Sequence, residues 1–147
     1  FPLTVSQEVP TPTIPGLEPA GVGHVTYAPD TNLLAWVITY AGLTGPATAA
    51  HFHGPAGLGQ TAPPLVFAIG GDSGVPSPQP ASGVVVGSKI LTDTQETDLF
   101  NGLWYFNIHT ALNTAGEIRG QILCIPEPAT LGLVALGGVL LLRRQRR

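Results

Sequence analysis

The chain has 147 residues, one domain's length with room for tails; only 10% are charged, while Gly (19) and Pro (15) together approach a quarter. That balance argues against a helical bundle and for a turn-rich all-β domain with extended flanks. The formal charge of −3 conceals an asymmetry: Arg143, Arg144, Arg146 and Arg147 crowd the last five positions, and residues 1–125 carry about −6, a surface that repels phosphate backbones and disfavours nucleic-acid binding.

The sequence opens at Phe1 without a charged n-region or a long apolar run, so a secretion signal, if there was one, is expected to have been removed or left out. Residues 1–21 hold Pro2, Pro10, Pro12, Pro15 and Pro19, a density that reads as an extended leader; Leu3, Val5 and Val9 offer at most an edge strand. From Val22 the pattern becomes strand-like. Gly23–Ala28 alternates loosely up to the Pro29-Asp30 turn. Leu33–Tyr40 sets Leu34, Trp36, Ile38 and Tyr40 on one face and Leu33, Ala35, Val37 and Thr39 on the other, and both faces are expected to be at least half buried. Short strands follow over Thr48–His53 and Leu65–Ile69. Gly70–Gly83 is a long Gly/Pro/Ser loop, expected to be mobile, and Val84–Leu91 resumes β character.

Thr92-Asp93-Thr94-Gln95 has the spacing of a capping box and predicts one or two helical turns stopped by Gly102, with Leu99 and Phe100 reaching the core. Leu103–Thr110 is a strand with Trp104, Phe106 and Ile108 on one face and Tyr105, Asn107 and His109 on the other. The Asn113–Gly116 turn returns the chain as Glu117–Leu123. About seven short strands and one short helix predict an antiparallel β-sandwich or Greek-key barrel over residues 22–124. Cys124 is the one cysteine, which excludes an intrachain disulfide and suits a small apolar strand end.

Residues 125–147 differ from everything before them. Pro126-Glu127-Pro128 precedes fourteen uncharged, mostly apolar residues, Ala129–Leu142, and then the arginine cluster. As a C-terminal hydrophobic helix that apolar run spans about 21 Å, short of the roughly 30 Å hydrocarbon core, so it makes a poor permanent anchor. The basic cluster is the part that stays cytoplasmic, leaving the β domain outside. Motif, apolar segment and arginines in this order resemble the PEP-CTERM sorting signal. The resemblance implies recognition of Pro126, Glu127 and Pro128 by an exosortase of the bacterial inner membrane, removal of the tail, and delivery to the cell surface or extracellular matrix.

Chemistry is concentrated in Ala50-His51-Phe52-His53-Gly54-Pro55-Ala56. On a strand His51 and His53 share one face and Phe52 takes the other. His109 closes Asn107-Ile108-His109-Thr110, and the hairpin brings it near Glu117–Arg119. Together with Leu43-Thr44-Gly45, Leu91-Thr92, the run Asn101–Thr110 and Ala115–Gln121, these residues resemble the CHRD domain, a module of extracellular proteins. That resemblance implies a β-rich exported module with no agreed catalytic role.

Two functions therefore stand side by side. One is a non-enzymatic surface module that binds protein or exopolysaccharide partners through loops such as Gly70–Gly83. The other is a mononuclear zinc or copper protein using His51, His53 and His109, with Glu117 or His24 completing or supporting the set. The bland account of the same histidines is bracing, through bonds to backbone, Glu117 or Asn107. Glu117 and Arg119, two apart on a strand, read as a same-face charge pair. Trp36 and Trp104 read as core. The His51 and Asp72-Ser73 stretches look like fragments of serine-protease signatures, but the order and spacing of a triad are missing.

Overall fold

The computed structural model describes residues 1–123. Eight strands form one antiparallel sheet: β1 (Pro2–Thr4), β2 (Ala20–Ala28), β3 (Leu33–Ala41), β4 (Ala47–His53), β5 (Pro64–Ile69), β6 (Gly83–Ile90), β7 (Trp104–Thr110) and β8 (Ile118–Ile122). Their spatial order is β5-β4-β7-β8-β1-β2-β3-β6. The sheet curls until its two ends, β5 and β6, approach one another without pairing, a nearly closed barrel. The C-terminal hydrophobic helix expected after Cys124 lies outside the described residues. Among the described residues no helix is long and apolar enough to cross a membrane.

Alternation fills the barrel. Leu34, Trp36, Ile38 and Tyr40 of β3, Phe52 of β4, Val66 of β5, and Trp104, Phe106 and Ile108 of β7 all point inward and are buried. Phe52 is the hub, with ring centroids 4.8 Å from Phe106, 4.9 Å from Trp36 and 6.2 Å from Trp104. The helix α1 (Asp93–Phe100) caps one end. Thr92 accepts from Gln95 N while Gln95 Oε1 accepts from Thr92 N, so the predicted capping box is complete. Leu99 is buried as expected. Phe100 is not: it is 51% exposed and meets only the edge of Tyr27 at 5.4 Å, because one helical step beyond Leu99 turns it about 100° away from the core.

Two further expectations give way. The second face of β3 is half buried only at Leu33 and Ala35; Val37 and Thr39 are exposed, because no layer packs over that part of β2, β3 and β6. And the proline-rich N-terminal stretch supplies an internal strand, not an edge. Leu3 is fully buried, and β1 pairs with β2 on one side and with β8 on the other. Prolines fit there because Pro2 opens the strand and the next prolines come only after the 3₁₀ turn Val5–Gln7. Gly120 of β8 makes the approach feasible: a Cβ at that position would run into the carbonyl of Pro2. The loop after β5 is tied down by a bridge between Ala47 and Gln79 and by Ser77 Oγ donating to Thr48 O at 2.6 Å.

Candidate metal centre

Phe52 faces the barrel interior, so its neighbours His51 and His53 must face out. That outer side of β4, β7 and β8 is nonetheless buried. Residues 54–63 lie across it: Ala62 meets Tyr105 Oη, and Gly57 and Gln60 offer carbonyls to Arg119. Gln7, from the N-terminal segment, accepts from Gln121 N at 3.0 Å. The covered surface is polar. His53, Tyr105, Asn107, His109, Arg119 and Gln121 are all buried there, and Glu8 is buried against it.

Pairing register sets the rows. His51 stands opposite Asn107, and Asn107 opposite Arg119; His53 stands opposite Tyr105, and Tyr105 opposite Gln121; Ala49 stands opposite His109. A register shift between Ala47 and Ala49 and two more against β5 surround the His-x-His pair. Such irregularities re-aim side chains near sites.

The three imidazoles converge. One ring nitrogen from each of His51, His53 and His109 falls within 4.8 Å of the others. His53 Nδ1 is 2.7 Å from Ala62 O and His109 Nδ1 is 3.0 Å from Thr114 O. A carbonyl only accepts, so both Nδ1 atoms carry the proton and both Nε2 atoms keep a lone pair. His53 Nε2 is buried without a partner. His109 Nε2 takes the Nδ1 proton of His51 at 3.1 Å. Bracing and ligation thus divide the two nitrogens of His53 and His109 between them, the arrangement found behind metal-bound histidines. Nitrogens sharing a tetrahedral ion at about 2.0 Å are roughly 3.3 Å apart, so ring rotations of about 1 Å close the set.

Electrostatics favours the ligand form. Burial pushes His51 down to about 4, and the neighbouring His109 and His53 push the same way. Burial also holds His53 and His109 below the ordinary range, against the bonds to Ala62 and Thr114. All three rings are neutral at neutral pH. Tyr105 stacks on His53 at 4.7 Å with an interplanar angle of 6°, and the Arg119 guanidinium lies 3.5 Å from the Tyr105 centroid, which fixes the His53 ring plane. The edge of Phe67 meets His51 at 4.7 Å.

Glu117 is placed elsewhere. Its carboxylate accepts from Thr44 N at 2.6 Å, Asn113 Nδ2 at 2.8 Å, and the hydroxyls of Thr44 and Thr110. Burial raises its pKa, but those four donors outweigh it and leave the group below the usual carboxylate value. It clamps the Leu43–Thr44 turn to the β7–β8 hairpin and has no capacity left for an ion. Nor does it pair with Arg119, whose donors go to Gln60 O, Gly57 O and Gln121 Oε1. His24 is exposed on β2, outside the cluster. Ser73 Oγ donates to Gly70 O within its own turn.

The sequence pattern did not single out Glu8. Burial raises its pKa to about 7 against the pull of Arg119 and a bond from Asn107. Its only signal was an acid between prolines in a stretch read as a leader. Cys124, Pro126, Glu127, Pro128 and the four terminal arginines lie outside the described residues.

Comparison with known proteins divides the chain in two. Residues 1–122 match the CHRD domain, and residues 125–147 match the PEP-CTERM protein-sorting motif. Searches among curated proteins and among solved structures gave no match. The PEP-CTERM motif marks export to the surface or extracellular space through an exosortase. With its first 122 residues covered by one family and its end by a sorting signal, the chain belongs to the CHRD domain family and is an exosortase-sorted extracellular module.

Proposed function

We propose that this exported module holds one transition-metal ion, zinc or copper, on His51, His53 and His109. The observation that carries the reading is the convergence of three neutral ring nitrogens within 4.8 Å, one of them a buried lone pair with no partner. An all-nitrogen set without thiolate suits zinc or copper(II), and three protein ligands leave a position open. The test is metal analysis of the purified chain. One equivalent of zinc or copper, lost in a His51→Ala, His53→Ala double variant that stays folded, is expected; a metal-free chain that cannot be loaded overturns the reading.

Before exosortase cleavage the Ala129–Leu142 segment holds the domain transiently in the inner membrane, with the arginines on the cytoplasmic side. A second reading, contact with extracellular protein or polysaccharide, is favoured by the uncovered side of β2, β3 and β6. There Val22, Val37, Val84, Val86 and Ile90 are all exposed. Charged substitutions at Val37 and Val86 should abolish retention in the matrix if that side is used, and leave it unchanged if it is not.

A further inference from the structure

β1 is much shorter than the strand beside it. It pairs with Ala20–Val22 of β2, and two backbone bonds between Phe1 and Gly23, 2.8 Å each way, end the contact. From His24 to Ala28, β2 pairs with β3 alone among the described residues, so its other edge is bare. β8 ends level with the same point: Thr4 stands opposite Arg119, and counting back along the antiparallel register sets Phe1 beside Ile122. The strands thus leave a notch at this end of the barrel. It is a groove of about 770 Å³ between β2, the end of β8 and the last turn of α1. The Phe1 ring lies across Gly23 and Gly120, where a Cβ on either glycine would strike it. Tyr27 meets Phe100 edge-on at 5.4 Å, and Phe100 and Leu123, which line the groove, are 51% and 62% exposed. Apolar surface beside an unpaired strand edge is the form taken by sites that receive an extended segment of another protein.

The chain itself says what covers this end. Ile122 is 1% exposed and fixed in β8, and the sorting motif begins at Pro126, four residues on. Fully extended, that link reaches no more than about 14 Å. An enzyme that grips Pro126, Glu127 and Pro128 therefore stands against the notch. We propose that the notch is a second contact for the exosortase, continuous with its hold on the motif: the bare edge of β2 gives backbone hydrogen bonds, and the groove takes apolar side chains. A bilayer surface is the competing cover. It fits less well, because α1 carries Asp93, Glu96 and Asp98 and no basic residue, a charge that anionic headgroups repel. Phe100, apolar and turned from the core, gains a purpose at the rim. The folded domain is then read together with the motif, and a barrel that has not closed presents the motif without the notch.

The test places p-benzoylphenylalanine at position 100 of the full chain and irradiates cells that make the exosortase. A crosslink to the exosortase is expected, and none from the same analogue at position 112, where Leu112 is exposed at the other end of β8. Crosslinks to lipid alone, to a second copy alone, to nothing, or to the exosortase equally from both positions overturn the proposal. In a pulse-chase read by intact mass, Phe100→Glu should slow removal of the tail about tenfold, the worth of covering the exposed half of the ring. Tm should stay unchanged, and Phe100→Leu should run close to wild type. Folded Phe100→Glu processed at the wild-type rate also overturns the proposal. Neither readout involves the histidines, so failure here leaves the metal reading standing.

Discussion

Consider His51→Ala in a thermal melt with and without zinc. His51 is the least buried of the three histidines, so its removal disturbs the fold least. The metal-free variant loses the bond to His109 and the edge contact with Phe67. Each is worth about 1 kcal/mol, so metal-free Tm should fall by roughly 5–10 °C. Zinc tells the rest. At a concentration a hundred times Kd, a ligand that binds only the folded state adds about 2.7 kcal/mol, a rise of about 10 °C for a chain of this size. Structural zinc sites give about 10–16 kcal/mol over four ligands, so losing one ligand weakens binding by roughly 10²–10³-fold. At the same zinc concentration the variant should then gain at most about 0.4 kcal/mol, a shift of no more than about 2 °C. Differential scanning calorimetry reads both quantities. Equal zinc shifts in wild type and variant, or none in either, would refute the ligand geometry, because a merely bracing His51 changes the metal-free Tm and nothing else.

Three other outcomes follow from the same contacts. Metal-free protein should lose stability as pH falls from about 6.5 toward 4. The three histidines are held below their ordinary value by burial, so on their account the unfolded chain takes up protons first, while Glu8, raised by burial, works the other way over the same range; in Glu8→Gln, free of that opposition, urea midpoints at pH 7 and pH 5 should differ, and equal midpoints would contradict the buried neutral rings. Glu117→Gln turns one of the two accepting oxygens into a donor facing donors and should cost about 2–4 kcal/mol by urea unfolding, against nearly nothing if the carboxylate were solvated. Gly120→Ala pushes a methyl into the Pro2 carbonyl and should cost about 1–3 kcal/mol, while Leu3→Ala should cost about 2–5 kcal/mol; a neutral result at Leu3 would mean that β1 is not part of the stable fold.

Much of the site was legible in the sequence because strand geometry is simple. Two histidines flanking Phe52 must share a face, and the Asn113–Gly116 turn predicts the hairpin that carries His109. The capping box at Thr92 is equally local and stands as read. What could not be read depends on which strands become neighbours. Three residues of β1 carry too little pattern to announce a strand among prolines, so Glu8 went unnoticed with them. Glu117 shares a strand with Arg119, yet its carboxylate is claimed by Thr44, brought in from more than seventy positions away. Phe100 and Val37 show the limit of apolarity as a guide: both sit where burial was expected and both face water, Phe100 because the helix turns it from the core and Val37 because it lies on the outer face of β3.

The place of β1 also dictates when the molecule can become itself. The first residues of the chain slot between β2 and β8, and β8 ends at Ile122, immediately ahead of the sorting motif. Head and end of the domain must therefore meet before the barrel exists, a topology of long-range pairings that closes slowly. Only with β8 in place can β1 pair on both its sides, and the segment after it, with Gln7 on Gln121 N and Glu8 against Gly116, is seated with it. The site proposed for a metal, built on β4 and β7 and backed by β8, is therefore finished only when both ends of the domain have met.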